Sequence, residues 1–110
     1  AGDIVPDGYL KLMYASTDAL VAGAETAAQA SHLDKSSTQE GLALLVSCVG
    51  RKLVMGGRVD EEVEVVADVY GSKTTLAGFY SYGEISPQSG YLACKLHNQT
   101  MTISYISEAL

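Results

Sequence analysis

Leu42-Ala43-Leu44-Leu45-Val46-Ser47-Cys48 is an apolar run without polar alternation. A strand covered on both faces reads this way, whereas a half-exposed strand alternates. A buried helix competes, but the run is short and follows the polar stretch 34–41. We therefore read 42–48 as a central strand and build outward from it. Residues 49–55 are ambiguous, and Gly56-Gly57 punctuates the chain. Residues 58–70 show helical spacing, with Val59, Val63, Val66 and Tyr70 on one face and Glu61, Glu62, Glu64 and Asp68 largely away from it. Asp60, Glu61 and Glu62 suit the positive end of a helix dipole, and Gly71 suits its C-terminus.

Upstream, residues 9–15 (Tyr-Leu-Lys-Leu-Met-Tyr-Ala) read as a first strand. Ser16, Thr17 and Asp18 offer capping oxygens for a helix running to about Leu33. Leu20, Ala24, Ala27, Ala28 and Ser31 share one face, small enough to lie close to a sheet. Downstream, 74–82 reads as a third strand and 91–107 as a long fourth one, joined by a loop containing Pro87 and pairing as an antiparallel hairpin. The expectation is an α+β domain in the order β-α-β-α-β-β. It has a roughly four-stranded, mainly antiparallel sheet and two main helices.

The chain has 110 residues, which fits one small domain. Seven basic and thirteen acidic side chains give a net charge of −6. That balance argues against nucleic acid, which demands a clustered basic face, and against an anionic membrane surface. No run is long enough for a membrane helix. Charged residues make up 18%, below the roughly 25% of typical soluble domains, while 47% are apolar. The N-terminus does not read as an intact signal peptide. Cys48 and Cys94 read as two buried thiols of a cytosolic protein.

Catalytic chemistry finds little purchase. No CxxC, HExxH, GxSxG, P-loop or GxGxxG spacing occurs. Cys94 and His97 stand three apart, on opposite faces of a strand. No nucleophile and base lie within plausible reach, so an enzyme is not expected. Two segments are richer. In Gly78-Phe79-Tyr80-Ser81-Tyr82-Gly83-Glu84-Ile85, Tyr80 and Tyr82 share a face, where they either pack across strands or line a pocket. In 97–105, odd positions put His97 and Gln99 on the face of Met101 and Ile103. Asn98, Thr100, Thr102 and Ser104 form a polar row on the other. His97 is either a hydrogen-bonded core histidine or a ligand-binding one.

These segments carry a resemblance. Residues 78–85, followed by Leu96-His97-Asn98-Gln99-Thr100-Met101-Thr102, resemble the end of the FIST sensory domain family. Ser47-Cys48-Val49-Gly50-Arg51-Lys52-Leu53-Val54-Met55-Gly56, leading into an acidic helix, is similar to that family as well. So is the opening Leu-Lys-Leu-Met before an Ala-rich helix. The resemblance is to the C-terminal part of a two-part sensory module, with residues 1–110 as a single domain. It implies a cytoplasmic small-ligand input domain in signal transduction, with amino acids among the suggested ligands. Its partners would be the N-terminal half of the same module and an output domain such as a histidine kinase. A subset resembles haem-binding nitric-oxide sensors, which makes His97 the candidate axial haem ligand. Tyr80, Tyr82, Glu84, His97, Asn98 and Gln99 are the candidate ligand-binding residues. The alternative is a protein-interaction module without its own ligand. Because two helices cover only one face of a sheet, some apolar area is expected to stay exposed. The isolated chain is then expected to self-associate, a homodimer being one such assembly.

Overall fold

The computed structural model describes residues 3–32, 40–87 and 93–108. Helix α1 (Thr17–Ser31) begins where Ser16 caps it, the Ser16 hydroxyl accepting from the Ala19 amide at 3.2 Å. Strand β1 (Gly41–Cys48) leads directly into the short helix α2 (Val49–Met55) and a 3-10 turn at Gly56–Arg58. Helix α3 (Glu61–Tyr70) ends at Gly71, whose φ of 74° favours a residue without Cβ. Four strands follow: β2 (Thr74–Ser81), β3 (Glu84–Pro87), β4 (Cys94–His97) and β5 (Met101–Ser107).

The class is α+β. The main sheet has the order β2-β1-β5, with β1 parallel to β2 and antiparallel to β5. Strands β3 and β4 form a separate antiparallel pair. The hairpin expected between 74–82 and 91–107 is thus replaced by two separate pairings. Strand β1 sits between β2 and β5, and the long fourth strand breaks at 98–100. Gln99 there takes φ 56°, which ends the alternation that would have carried His97 and Gln99 onto the face of Met101 and Ile103. Residues 9–15 join neither sheet. Tyr9, Leu10, Leu12, Met13 and Tyr14 are between 76% and 105% exposed.

Among the described residues, the main core cluster lies on one side of the sheet. Ala43 and Leu45 of β1 pack under Ala24 and Ala28 of α1 and Val66 and Tyr70 of α3, with Leu76, Met101, Ile103 and Tyr105 at the margins. The small residues of α1 let it approach closely, as the sequence suggested. The buried stripe of α3 is Glu62, Val66 and Tyr70. Val63, placed on the buried face by the sequence pattern, is instead half exposed. On the far face of the sheet, Leu42 and Leu44 are 38% and 37% exposed, and Phe79 and Ile106 each 59%. Strand β1 is therefore apolar on two faces but covered on one. Cys48 is buried as expected, whereas Cys94 is exposed on β4, and neither is in a disulfide. Among the described residues, no helix is long and apolar enough to cross a membrane.

Candidate functional site

The site grows from a carboxylate with almost no contact with solvent. Glu62, at the start of α3, is 1% exposed, and Arg51 of α2 is 3% exposed. An unpaired buried charge is very costly, so each must be matched and hydrogen-bonded. Arg51 Nε donates to Glu62 Oε2 at 3.1 Å, and Arg51 Nη2 lies 3.1 Å from the same oxygen. The Ser47 hydroxyl of β1 donates to Glu62 Oε1 at 3.2 Å, and the Tyr80 hydroxyl of β2 donates to it at 2.9 Å. Arg51 Nη2 also donates to the Leu20 carbonyl of α1 at 2.7 Å. The Glu62–Arg51 pair thus ties together α1, α2, α3, β1 and β2.

The local sequence explains the arrangement. Tyr80 pairs in register with Ser47, so both project toward the helices beside Glu62. Arg51 follows β1 by one helical turn and reaches back over its end. Helix α1 passes beside the guanidinium at Gly23, where a Cβ would lie 3.9 Å from Arg51 Nη1, an ordinary contact. Burial pushes the Tyr80 phenol up to about 12, and its bond to anionic Glu62 acts in the same direction. The Lys52 ammonium sits 4.9 Å from the centre of the Tyr80 ring, a cation–π distance.

Beside this cluster lies an open cleft of about 210 Å³ between β2 and α3. Leu45, Val63, Leu76 and Met101 give it apolar walls, and Ser47, Glu62 and Tyr80 its polar end. Gly78 also lines it. A Cβ at 78 would stand 2.1 Å from the Leu45 carbonyl oxygen, so β2 approaches β1 here only because the residue is glycine.

Of the six candidates read from the sequence, Tyr80 alone reaches this cleft. Tyr82 is almost fully exposed, just beyond β2. Glu84 and His97 face one another across the β3–β4 pair. Glu84 accepts from the hydroxyls of Ser81 and Thr100. His97 Nε2 lies 3.1 Å from the Ser86 carbonyl oxygen. Asn98 and Gln99 occupy the turn before β5, where the Gln99 side chain lies against Gly50. Glu62, Arg51 and Ser47 were missed as site residues. Their signal was faint: Glu62 stands four residues before Val66 and eight before Tyr70, in helical phase with the core.

A haem would need His97 as its axial ligand. An Nε2–H bond to Ser86 would leave Nδ1 as the ligating nitrogen. A porphyrin also requires apolar walls on two sides. Ile85 and Leu96 of this hairpin are 74% and 52% exposed, and His97 does not line the cleft. The described residues around His97 therefore do not fit a haem. Among the described residues, no three metal-binding side chains gather in one place.

The architecture is that of a small α+β domain with a single-sided core and a ligand-sized cleft at its edge. A family comparison agrees with the resemblance read from the sequence: the model of the FIST C domain matches residues 1–87, and the chain belongs to that family. FIST C domains are a sensory domain family in signal transduction rather than a known enzyme family. No curated protein and no solved structure matches the chain.

Proposed function

We propose that the chain is a small-ligand input domain whose ligand sits in the cleft between β2 and α3. The observation that carries this reading is the cleft itself, with apolar walls and two hydroxyls converging at one end. Its volume of about 210 Å³ is below the roughly 300 Å³ at which drug-sized pockets begin, so the ligand is small. The hydroxyl protons of Ser47 and Tyr80 are already spent on Glu62, which leaves oxygen lone pairs to face a ligand. A ligand that donates hydrogen bonds from a polar head and lays an apolar body on Leu45, Leu76 and Met101 meets both demands. An apolar amino acid, with its ammonium toward the hydroxyls, has that chemistry. The route outward runs from Tyr80 through Glu62 and Arg51 to the Leu20 carbonyl, so occupancy is coupled to the start of α1.

Calorimetric titration with leucine, methionine, phenylalanine and haem tests this. We expect an apolar amino acid to bind, Tyr80→Phe to weaken it several-fold and Val63→Trp to abolish it by filling the cleft. Tyr82→Phe and His97→Ala should leave it unchanged. Binding that survives Val63→Trp, or a Soret shift on haem addition that is lost in His97→Ala, would overturn the cleft assignment.

A second reading, an interaction module, is favoured by the uncovered face of Leu42, Leu44, Phe79 and Ile106. In that reading the N-terminal part of the same module covers it, and a signalling output domain such as a histidine kinase reads the result. Silence in every titration, together with binding to the N-terminal part, supports it.

A further inference from the structure

Residues 9–15 present a contradiction. Tyr9-Leu10-Lys11-Leu12-Met13-Tyr14-Ala15 has strand composition, yet it joins no strand pairing and Tyr9 through Tyr14 are exposed, beside a body with open sheet edges among the described residues. Among the described residues, strand β5 is one such edge. It is seven residues long and has neither a charge nor a proline, the devices by which edge strands are normally protected from pairing. The arm also has seven residues, about 23 Å at 3.3 Å per residue, and so matches it in length.

Topology selects β5 over β2. The path β1–α3–β2 is a parallel crossover, which is right-handed almost without exception. Helix α1 packs on the same face of the sheet as α3 and contacts β5. A crossover arm–α1–β1 of the same hand must therefore step across the sheet in the same sense. That puts the arm on the side of β1 away from β2, where β5 already lies. Parallel to β1, it is antiparallel to β5, in the order β2-β1-β5-arm. Leu10, Leu12 and Tyr14 then share one face, and the alternate face holds Lys11, the arm's one charge.

We infer that the arm fills this position on a second copy of the chain, each copy lending residues 9–15 to the β5 edge of the other. Tyr9, Leu10, Leu12, Met13 and Tyr14 are at least three-quarters exposed, so the arm does not pack on its own body. An unfilled edge and an unseated strand on one chain are complementary. Two copies related by a two-fold axis satisfy both at once, as in domain swapping. Backbone hydrogen bonds and apolar contacts carry such an interface, while the charge of −6 on each copy opposes it. Added salt therefore strengthens it.

Light scattering on the eluting 110-residue chain should give twice the 11.6 kDa monomer mass. Amides of residues 9–15 should exchange slowly with deuterium. Leu12→Pro and Met13→Pro, made separately, change adjacent amides, of which one must point at β5; one of the two should give a monomer with unchanged helical circular dichroism, because proline there removes a ladder donor. A monomer with protected arm amides means the arm closes on its own sheet, and overturns the exchange. A monomer with unprotected amides overturns the pairing itself. A dimer indifferent to both Leu12→Pro and Met13→Pro is held by another surface, and overturns it too.

Discussion

Glu62 shows how one buried side chain organises a small domain. Its attraction to Arg51 is offset by the desolvation of both charges, so the pair is weak evidence for stability in itself. Losing one member is different. Glu62→Ala leaves the Arg51 guanidinium buried and strips Ser47 and Tyr80 of their acceptor, which should cost about 3–5 kcal/mol by urea denaturation. An unchanged midpoint would mean that water enters the cluster freely. Tyr80 adds a pH dependence whose sign is fixed. Burial first, and Glu62 second, raise its folded pKa to about 12 from an ordinary value of 10. Tyr70 is shifted upward too, chiefly by burial. Both phenols prefer to stay protonated in the fold. The Tyr80 contribution is complete below about pH 10 and is lost as pH rises toward 12, and that of Tyr70 is lost in the same direction. The urea midpoint should therefore fall as pH rises from 10 toward about 12, and less steeply in Tyr80→Phe.

At the scale of elements, the closeness of β1 and β2 depends on Gly78. Gly78→Ala sets a methyl group against the Leu45 carbonyl, a backbone atom that cannot rotate aside. The expected loss is about 1–3 kcal/mol, as for other overpacked sites. Gly57→Ala is the control, since nothing lies within 4 Å of the added carbon. Equal melting temperatures for the two variants would refute this account. Helix α1 was legible because Ser16 caps it and its alanines repeat at helical spacing. Strand β1 was legible as a strand, and β2 from its aromatic and β-branched residues. Partner choice was not legible. Nothing in 91–107 announces that β5 will pair with β1 rather than β2, because pairing is settled by the crossover through α3, not by composition. The site suffered likewise. An acidic residue in the first turn of a helix reads as a solvated charge, and Glu62 becomes a buried acceptor only because Arg51, 11 residues earlier, folds back over β1.

For the whole molecule, the one-sided core separates two kinds of apolar residue within a single strand. Leu45 and Leu44 are neighbours in sequence and chemistry, yet Leu45 is 6% exposed against α1 and α3 while Leu44 opens to solvent. The 47% apolar content is thus divided between a core and an uncovered sheet face. The energetic consequences differ accordingly. Leu45→Ala should cost about 2–5 kcal/mol, the range for emptying a buried site. Leu44→Ser combined with Phe79→Ser should cost less than Leu45→Ala although it changes two residues, because both side chains keep a third or more of their surface in water in the folded state. The double variant should also bind less of a dye that reports exposed apolar surface, and if the far face docks onto a neighbouring domain it should lose that association while remaining folded. If the double variant instead unfolds as readily as Leu45→Ala, the far face is part of the core, and the division of strand β1 into a packed and an open side is wrong.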